Sequence, residues 1–211
     1  MSGRSAPSIR SLFPTRLYEA NLGDTELVAD LEAAAWMLEA GDAAGRAWCE
    51  ENLYPGYTSY ASLGDLAGRA TAFDTLADHL QAHAERFAAA LEWDLDGRRL
   101  ALDALWVNIL GEGGVHSGHI HPGSVLSGTV YVVMPPGAGA LKLEDPRLPL
   151  MMGAPQLEAG AGADAQRFVY LTPTAGTVLM WESWLRHEVI AGRSEEPRIS
   201  ISFNFGLAEA G

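Results

Sequence analysis

Hydrophobic positions along the chain change period near residue 99. Before it, apolar residues recur every three to four positions; after it, they alternate with polar ones between glycine-rich breaks. The first helical stretch opens at Gly23-Asp24-Thr25. It carries one stripe of Leu27, Leu31, Ala34 or Ala35, and Leu38, and stops at Gly41. The second opens at Thr71-Ala72-Phe73-Asp74, where a Thr and an Asp three residues later can satisfy the first unpaired amides. It sets Leu76, Leu80, His83, Phe87 and Leu91 on one face. Ahead of both, residues 1–11 are polar and basic and are expected to fray. Leu12–Ala20 reads as extended, and Pro14, which lacks a ladder donor, assigns it to a sheet edge. Residues 42–70 interleave Trp48, Tyr54, Tyr57 and Tyr60 with Pro55, Gly56, Gly64 and Gly68. That mixture predicts a turn-rich segment whose aromatics serve packing.

Beyond residue 99 the pattern predicts strands. Leu100–Leu110 places Trp106, Asn108 and Leu110 on one side, with Val107 and Ile109 on the other. Further strands are expected at Leu126–Met134, Leu141–Glu144, Phe168–Leu171, Thr177–Trp181, from His187, and at Arg198–Phe205. Residues 145–166 read as one long loop, functional or mobile, in which Met151-Met152 form an apolar patch able to cover a ligand. Short connections favour antiparallel pairing. The expected fold is mainly β within the α+β class: a double-stranded β-helix (jelly roll, cupin-like) with N-terminal helices packed on one sheet. One domain is expected over residues 1–211, with the strand and supporting helices in about 1–98 and the jelly-roll core in about 99–211.

Composition narrows the function classes. The formal charge is −13, from 14 Lys+Arg against 27 Asp+Glu, which disfavours nucleic acid and anionic membrane as partners. Cys49 is the single cysteine, so no internal disulfide is possible, and a buried thiol in a reducing cytoplasm is expected. The N-terminus lacks the apolar core of a signal peptide, and no apolar run reaches membrane-spanning length.

Three of the six histidines fall within residues 116–124. On a strand, His119 and His121 point to the same side, about 6.6–6.8 Å apart along the chain, while Ile120 faces away. Pro122-Gly123 turns the chain just beyond, which puts the pair at a strand end, open to a substrate. Imidazole is the commonest metal-binding side chain, and His187 is the candidate third ligand. His116 is given a pocket or loop role. His79 and His83 are four apart, but His83 lies on the apolar face of its helix and a structural role is expected for the pair. On the last strand Arg198, Ser200, Ser202 and Asn204 share one face, opposite Ile199, Ile201, Phe203 and Phe205. An Arg heading an inward polar row requires an anion, and a carboxylate held in a fork is the usual answer. The alternative is an ion pair with Glu195 or Glu196 in the preceding loop. Trp181 and Trp184 are assigned to rim packing.

These features resemble the iron(II)/2-oxoglutarate-dependent oxygenases, and most of all a family of small members from bacteria and phage. The resemblance is carried by Trp106-Val107-Asn108, His119-Ile120-His121-Pro122-Gly123-Ser124-Val125-Leu126-Ser127-Gly128, Asp145-Pro146-Arg147, Ser183-Trp184-Leu185-Arg186-His187 and the Arg198–Asn204 strand, and more weakly by Leu12-Phe13-Pro14-Thr15. It implies Fe(II) held by His119, His121 and His187, and 2-oxoglutarate as co-substrate, its far carboxylate on Arg198 with help from Ser200. Strand parity on the neighbouring strands adds Asn108, Ser127 and Tyr131 as further candidate members of that pocket. Partners would be O2 and a small-molecule or protein substrate, and the product a hydroxylated substrate. A homodimer through exposed edge strands is also open. The chain departs from the usual two His and one carboxylate, because His121 stands where an acid is expected. Asp145 and Glu182 are the candidate replacement acids. The departure keeps two alternatives in view: a three-His cupin-type metalloenzyme without 2-oxoglutarate, and a non-catalytic binding module.

Overall fold

The computed structural model describes residues 7–210; the first six residues of the segment expected to fray lie outside them. The chain begins with a short edge strand, β1 (Leu17–Asn21), and a long helix, α1 (Thr25–Gly41). The Asp24 carboxylate accepts the Leu27 amide at 2.9 Å and caps α1, which buries Leu27, Leu31, Ala34 and Ala35. Segment 42–70 is more ordered than a turn-rich reading allows. It holds a helix, α2 (Ala43–Glu51), capped by Asp42, and a three-residue strand, β2 (Gly56–Thr58). The helix was hidden because it buries only Gly45 and Cys49, which leaves no apolar stripe to read.

Helix α3 (Thr71–Ala90) starts differently from the capping pattern. Ala70 takes the cap position with no side-chain bond, so Thr71 is already helical, and Asp74 instead accepts the Gly68 amide. Its buried face carries Phe73, Leu76, Leu80, His83 and Phe87. His83 is structural as expected: its Nδ1 meets the Tyr18 hydroxyl at 2.8 Å. Cys49 is likewise a buried free thiol.

The remaining strands are β3 (Arg98–Leu110), β4 (His116–His119), β5 (Leu126–Val133), β6 (Leu141–Glu144), β7 (Phe168–Leu171), β8 (Thr177–Glu182), β9 (His187–Val189) and β10 (Arg198–Glu209). They form two antiparallel sheets, ordered β1-β8-β5-β10-β3-β2 and β4-β9-β6-β7. This is the expected jelly roll, and β1 lies at an edge as Pro14 implied. Eight strands follow α3, and β1 and β2 extend the larger sheet at both edges.

Two cores hold the molecule together. The larger sits between the helices and the outer face of the six-stranded sheet, where Leu31, Phe73, Leu76 and Leu80 meet Ile199, Ile201, Phe203 and Phe205. The smaller lies between the sheets and comprises Tyr131, Leu141, Leu143, Leu179, Trp181 and Leu185. Burying one such side chain contributes about 1.5–3 kcal/mol. The unequal division leaves the inner face of β10 free of apolar filling toward one end, and the cavity described below opens there. The loop 145–166 contains two single turns of 3-10 helix, and its Leu150 and Met152 are 85% and 96% exposed. It contributes no residue to that cavity, so Met151-Met152 do not cover a ligand site here. Among the described residues no helix is long and apolar enough to cross a membrane.

Candidate active site

The smaller sheet brings two histidines together first. His119, the last residue of β4, pairs directly with His187, the first residue of β9, after an irregularity in register within β4. Their ring centroids lie 4.4 Å apart. His121 falls beyond the end of β4, but its amide donates to the Ser183 carbonyl at 3.1 Å, which keeps the chain extended through the pair. The His121 ring stacks against His187 at 5.2 Å and lies 5.0 Å from His119. One nitrogen from each of the three rings can be chosen so that all lie within 4.8 Å of one another.

Backbone carbonyls orient two of these rings. His187 Nδ1 stands 2.8 Å from the Leu185 carbonyl and His119 Nδ1 2.7 Å from that of Ser117. Since a carbonyl only accepts, each Nδ1 carries the proton and each Nε2 lone pair is free for a metal. His121 is supported by a side chain instead. The Asn204 amide nitrogen lies 3.4 Å from its Nδ1, while Ser127 Oγ donates to Asn204 Oδ1 at 2.7 Å and also meets Ser183 Oγ at 2.7 Å. Burial pushes the His187 pKa down to about 3 and that of His121 down to about 4. Both are therefore neutral imidazoles at neutral pH, the form that ligates a metal.

The histidines form one side of a cavity of about 350 Å3, within the size range of small-molecule sites. Arg198, Ser200, Ser202 and Asn108 line it from β10 and β3. Arg198 is 4% exposed, and its Nε and Nη1 have no hydrogen-bond partner among the described residues. No ion pair joins it to Glu195 or Glu196, which lie exposed in the preceding loop. Its guanidinium carbon stands 5.2 Å from the Tyr131 ring centroid. Burial pulls the guanidinium pKa down from its ordinary value, yet arginine stays protonated. A buried cation with unused donors needs an anion, since leaving it unpaired costs several kcal/mol, about 3–5.

The expected site residues thus divide. His119, His121, His187, Arg198, Ser200 and Asn108 line one cavity, and Tyr131 lies beneath Arg198. Ser127 does not line the cavity; its hydroxyl is used behind His121. Asp145 is engaged by Arg147 at 2.8 Å, and neither it nor Glu182 joins the histidine group. His116 lines the cavity outside that group, with its Nε2 2.5 Å from the Tyr54 hydroxyl. Trp181 is not rim packing: it is 1% exposed, stands edge-on to His187 at 4.7 Å and lines the cavity. Trp184 stays at the surface, 46% exposed. Sequence reasoning missed Trp48, Tyr54 and Tyr60, whose expected packing role does not hold: they line the cavity with Trp106. Their spacing has no period, and only the folding of α2 and β2 against β3 gathers them.

The donor set can hold a metal ion, with three imidazoles converging in a cavity that also holds a guanidinium with unused donors. Comparison with known proteins agrees. A family model described as "Putative 2OG-Fe(II) oxygenase" matches residues 104–204. No curated protein matches the chain in sequence. Among solved structures, a Pseudomonas putida prolyl-4-hydroxylase superposes with a TM-score of 0.61 at 16% identity, covering 93% of this chain and 94% of that one. The epimerase SnoN, in complex with Fe3+, alpha ketoglutarate and nogalamycin RO, gives 0.61 at 19%, covering 94% and 82%. The viral collagen prolyl hydroxylase of Paramecium Bursaria Chlorella virus-1, a 2OG complex, gives 0.57 at 13%, covering 91% and 96%. At these identities the structural matches establish a shared fold. Residues 104–204, which contain His119, His121, His187 and Arg198, are thus similar to the 2OG-Fe(II) oxygenase family.

Proposed function

We propose that the protein binds Fe(II) through His119, His121 and His187 and 2-oxoglutarate through Arg198, and hydroxylates a small molecule. The observation that carries this reading is the guanidinium of Arg198, buried at the cavity wall with two donor nitrogens unused. A dicarboxylic keto acid matches both ends of the cavity. Its far carboxylate would take the Arg198 fork, with the Ser200 hydroxyl beside it, and its keto-acid end would face the imidazoles. Asn108 is held by a bond from the Thr58 hydroxyl to its Oδ1 at 2.9 Å and donates to Ser202 at 3.1 Å, so it orients the pocket floor. Tyr131 supports the guanidinium through its ring, and Ser127 acts through Asn204 on His121. When bound, the iron would couple decarboxylation of the keto acid to reduction of O2 and oxidation of the substrate.

Three neutral ligands would leave the metal's charge uncompensated by protein, and of the co-substrate's two carboxylates only the one beside the keto group would offset it, the other meeting Arg198. The missing carboxylate is also the one observation favouring a second reading, a three-His metalloenzyme that does not use 2-oxoglutarate. Calorimetry separates the two. Under anaerobic conditions 2-oxoglutarate should bind the Fe(II)-loaded protein and lose that affinity in Arg198→Ala. Absence of binding to the unaltered protein would favour the second reading. A cytoplasmic setting suits the single reduced Cys49. The open edge strand β7 offers a route to a homodimer, which sedimentation at increasing concentration would reveal.

A further inference from the structure

Part of the cavity has walls of a different kind. Two rows of rings run from its mouth toward the histidines. In one, Trp48 meets Tyr54 at 6.4 Å between centroids, and Tyr54 meets His116 at 5.7 Å. In the other, Tyr60 meets Trp106 edge-on at 5.1 Å, and Trp106 meets His121 at 6.0 Å. All six line the same cavity. The outermost rings are open to solvent, Trp48 at 37% and Tyr60 at 59%, although large aromatic faces favour burial.

Trp48, Tyr54 and Tyr60 come from α2 and from the residues flanking β2, outside the 104–204 segment. Half of the wall therefore lies outside the segment that the family model matches. It is held close by Gly56, whose φ of +134° seats β2 on β3; a Cβ there would lie 2.1 Å from the Ile109 carbonyl oxygen. Tyr54 is fixed in turn by its hydrogen bond to His116.

Charge selects the occupant. Among the described residues no Asp or Glu lines the cavity, and its one permanently charged side chain is Arg198. A cation would meet no counter-charge there, despite the acidic surface elsewhere. The co-substrate already accounts for the need for an anion. What remains is a slot of aromatic faces and edges, suited to stacking. We propose that the substrate presents a flat, uncharged aromatic ring system, which enters between Trp48 and Tyr60 and is gripped by the two rows beside the histidine triad. Reaction at that ring rests on the oxygenase reading of the site; binding of the ring does not.

The test is anaerobic calorimetry with 2-naphthol, cyclohexanol and tetramethylammonium as probes. Each is titrated into the protein alone and into protein loaded with Fe(II) and 2-oxoglutarate. Naphthol should bind about tenfold or more tightly than either other probe. Trp48→Ala and Tyr60→Ala should each weaken naphthol about fivefold or more while leaving 2-oxoglutarate affinity unchanged, and Trp48→Phe should restore most of the loss. Both side chains are partly exposed, and melting curves like the unaltered protein's identify the variants as folded. Tetramethylammonium binding as tightly as naphthol would overturn the assignment, as would naphthol affinity that neither alanine variant changes. If naphthol behaves as expected but 2-oxoglutarate does not bind, the oxygenase reading falls and the aromatic slot stands; the converse result removes the slot alone.

Discussion

Arg198 carries a full charge into a site where only 4% of its surface meets solvent, and no acid in the described chain answers it. Its inward placement follows from strand alternation alone: Ile199, Ile201, Phe203 and Phe205 claim the core face, so the intervening residues must face the cavity. Removing the head of that row should therefore affect one ligand and spare another. Arg198→Ala is expected to weaken 2-oxoglutarate by at least about 30-fold in calorimetry, the lower end for truncating one partner of a buried charge pair, while Fe(II) affinity changes little. Equal loss of both would place Arg198 in a structural role. His187→Ala should do the reverse of sparing the metal: Fe(II) retention after gel filtration should collapse, because two imidazoles remain where three converge. Ser127 was legible as a pocket residue only by parity. Its hydroxyl turns instead to Ser183 and Asn204, a choice made by tertiary neighbours that strand period cannot report.

At the scale of elements, the long regular pieces were legible and the short ones were not. The stripe of Leu27, Leu31 and the paired alanines fixed α1, and the alternation of β10 fixed which face lines the cavity. By contrast α2 buries two small side chains and β2 spans three residues, so neither has enough period to stand out from a turn-rich segment. Helix α2 and the residues flanking β2 carry half of the aromatic wall. Gly56 is their weak point. Gly56→Ala combines an unfavourable positive φ with a backbone clash at Ile109, and should cost about 2 kcal/mol. For a chain of this size that lowers Tm by about 4–8 °C. Thermal melting checks the loss, and an unchanged Tm would mean that β2 does not dock on β3 as described.

For the whole molecule, the jelly roll joins candidate site residues that are distant in sequence: His119 and His121 from one sheet's end, His187 from the neighbouring strand, and Arg198 from the facing sheet. Burying imidazoles in that shared cavity links stability to pH. Burial pushes His116 and His187 down to about 3 and His121 to about 4, against an ordinary value of 6.5. The unfolded chain thus binds more protons than the folded one below pH 6.5, and stability present above that value is lost as pH falls toward 4. Each group approaches a slope of about 1.4 kcal/mol per pH unit in that window. Urea denaturation of the metal-free protein should therefore give a midpoint that falls steeply from pH 7 to pH 5. His116→Phe should make the fall shallower. The most direct test of the account joins the two ends of the cavity in one measurement. Fe(II) and 2-oxoglutarate are added without oxygen while the visible spectrum is recorded. A weak charge-transfer band is predicted that saturates with one 2-oxoglutarate per chain and is absent when Arg198→Ala protein meets the same concentrations. No band, with calorimetry also showing no 2-oxoglutarate binding to Fe(II)-loaded protein, would contradict it.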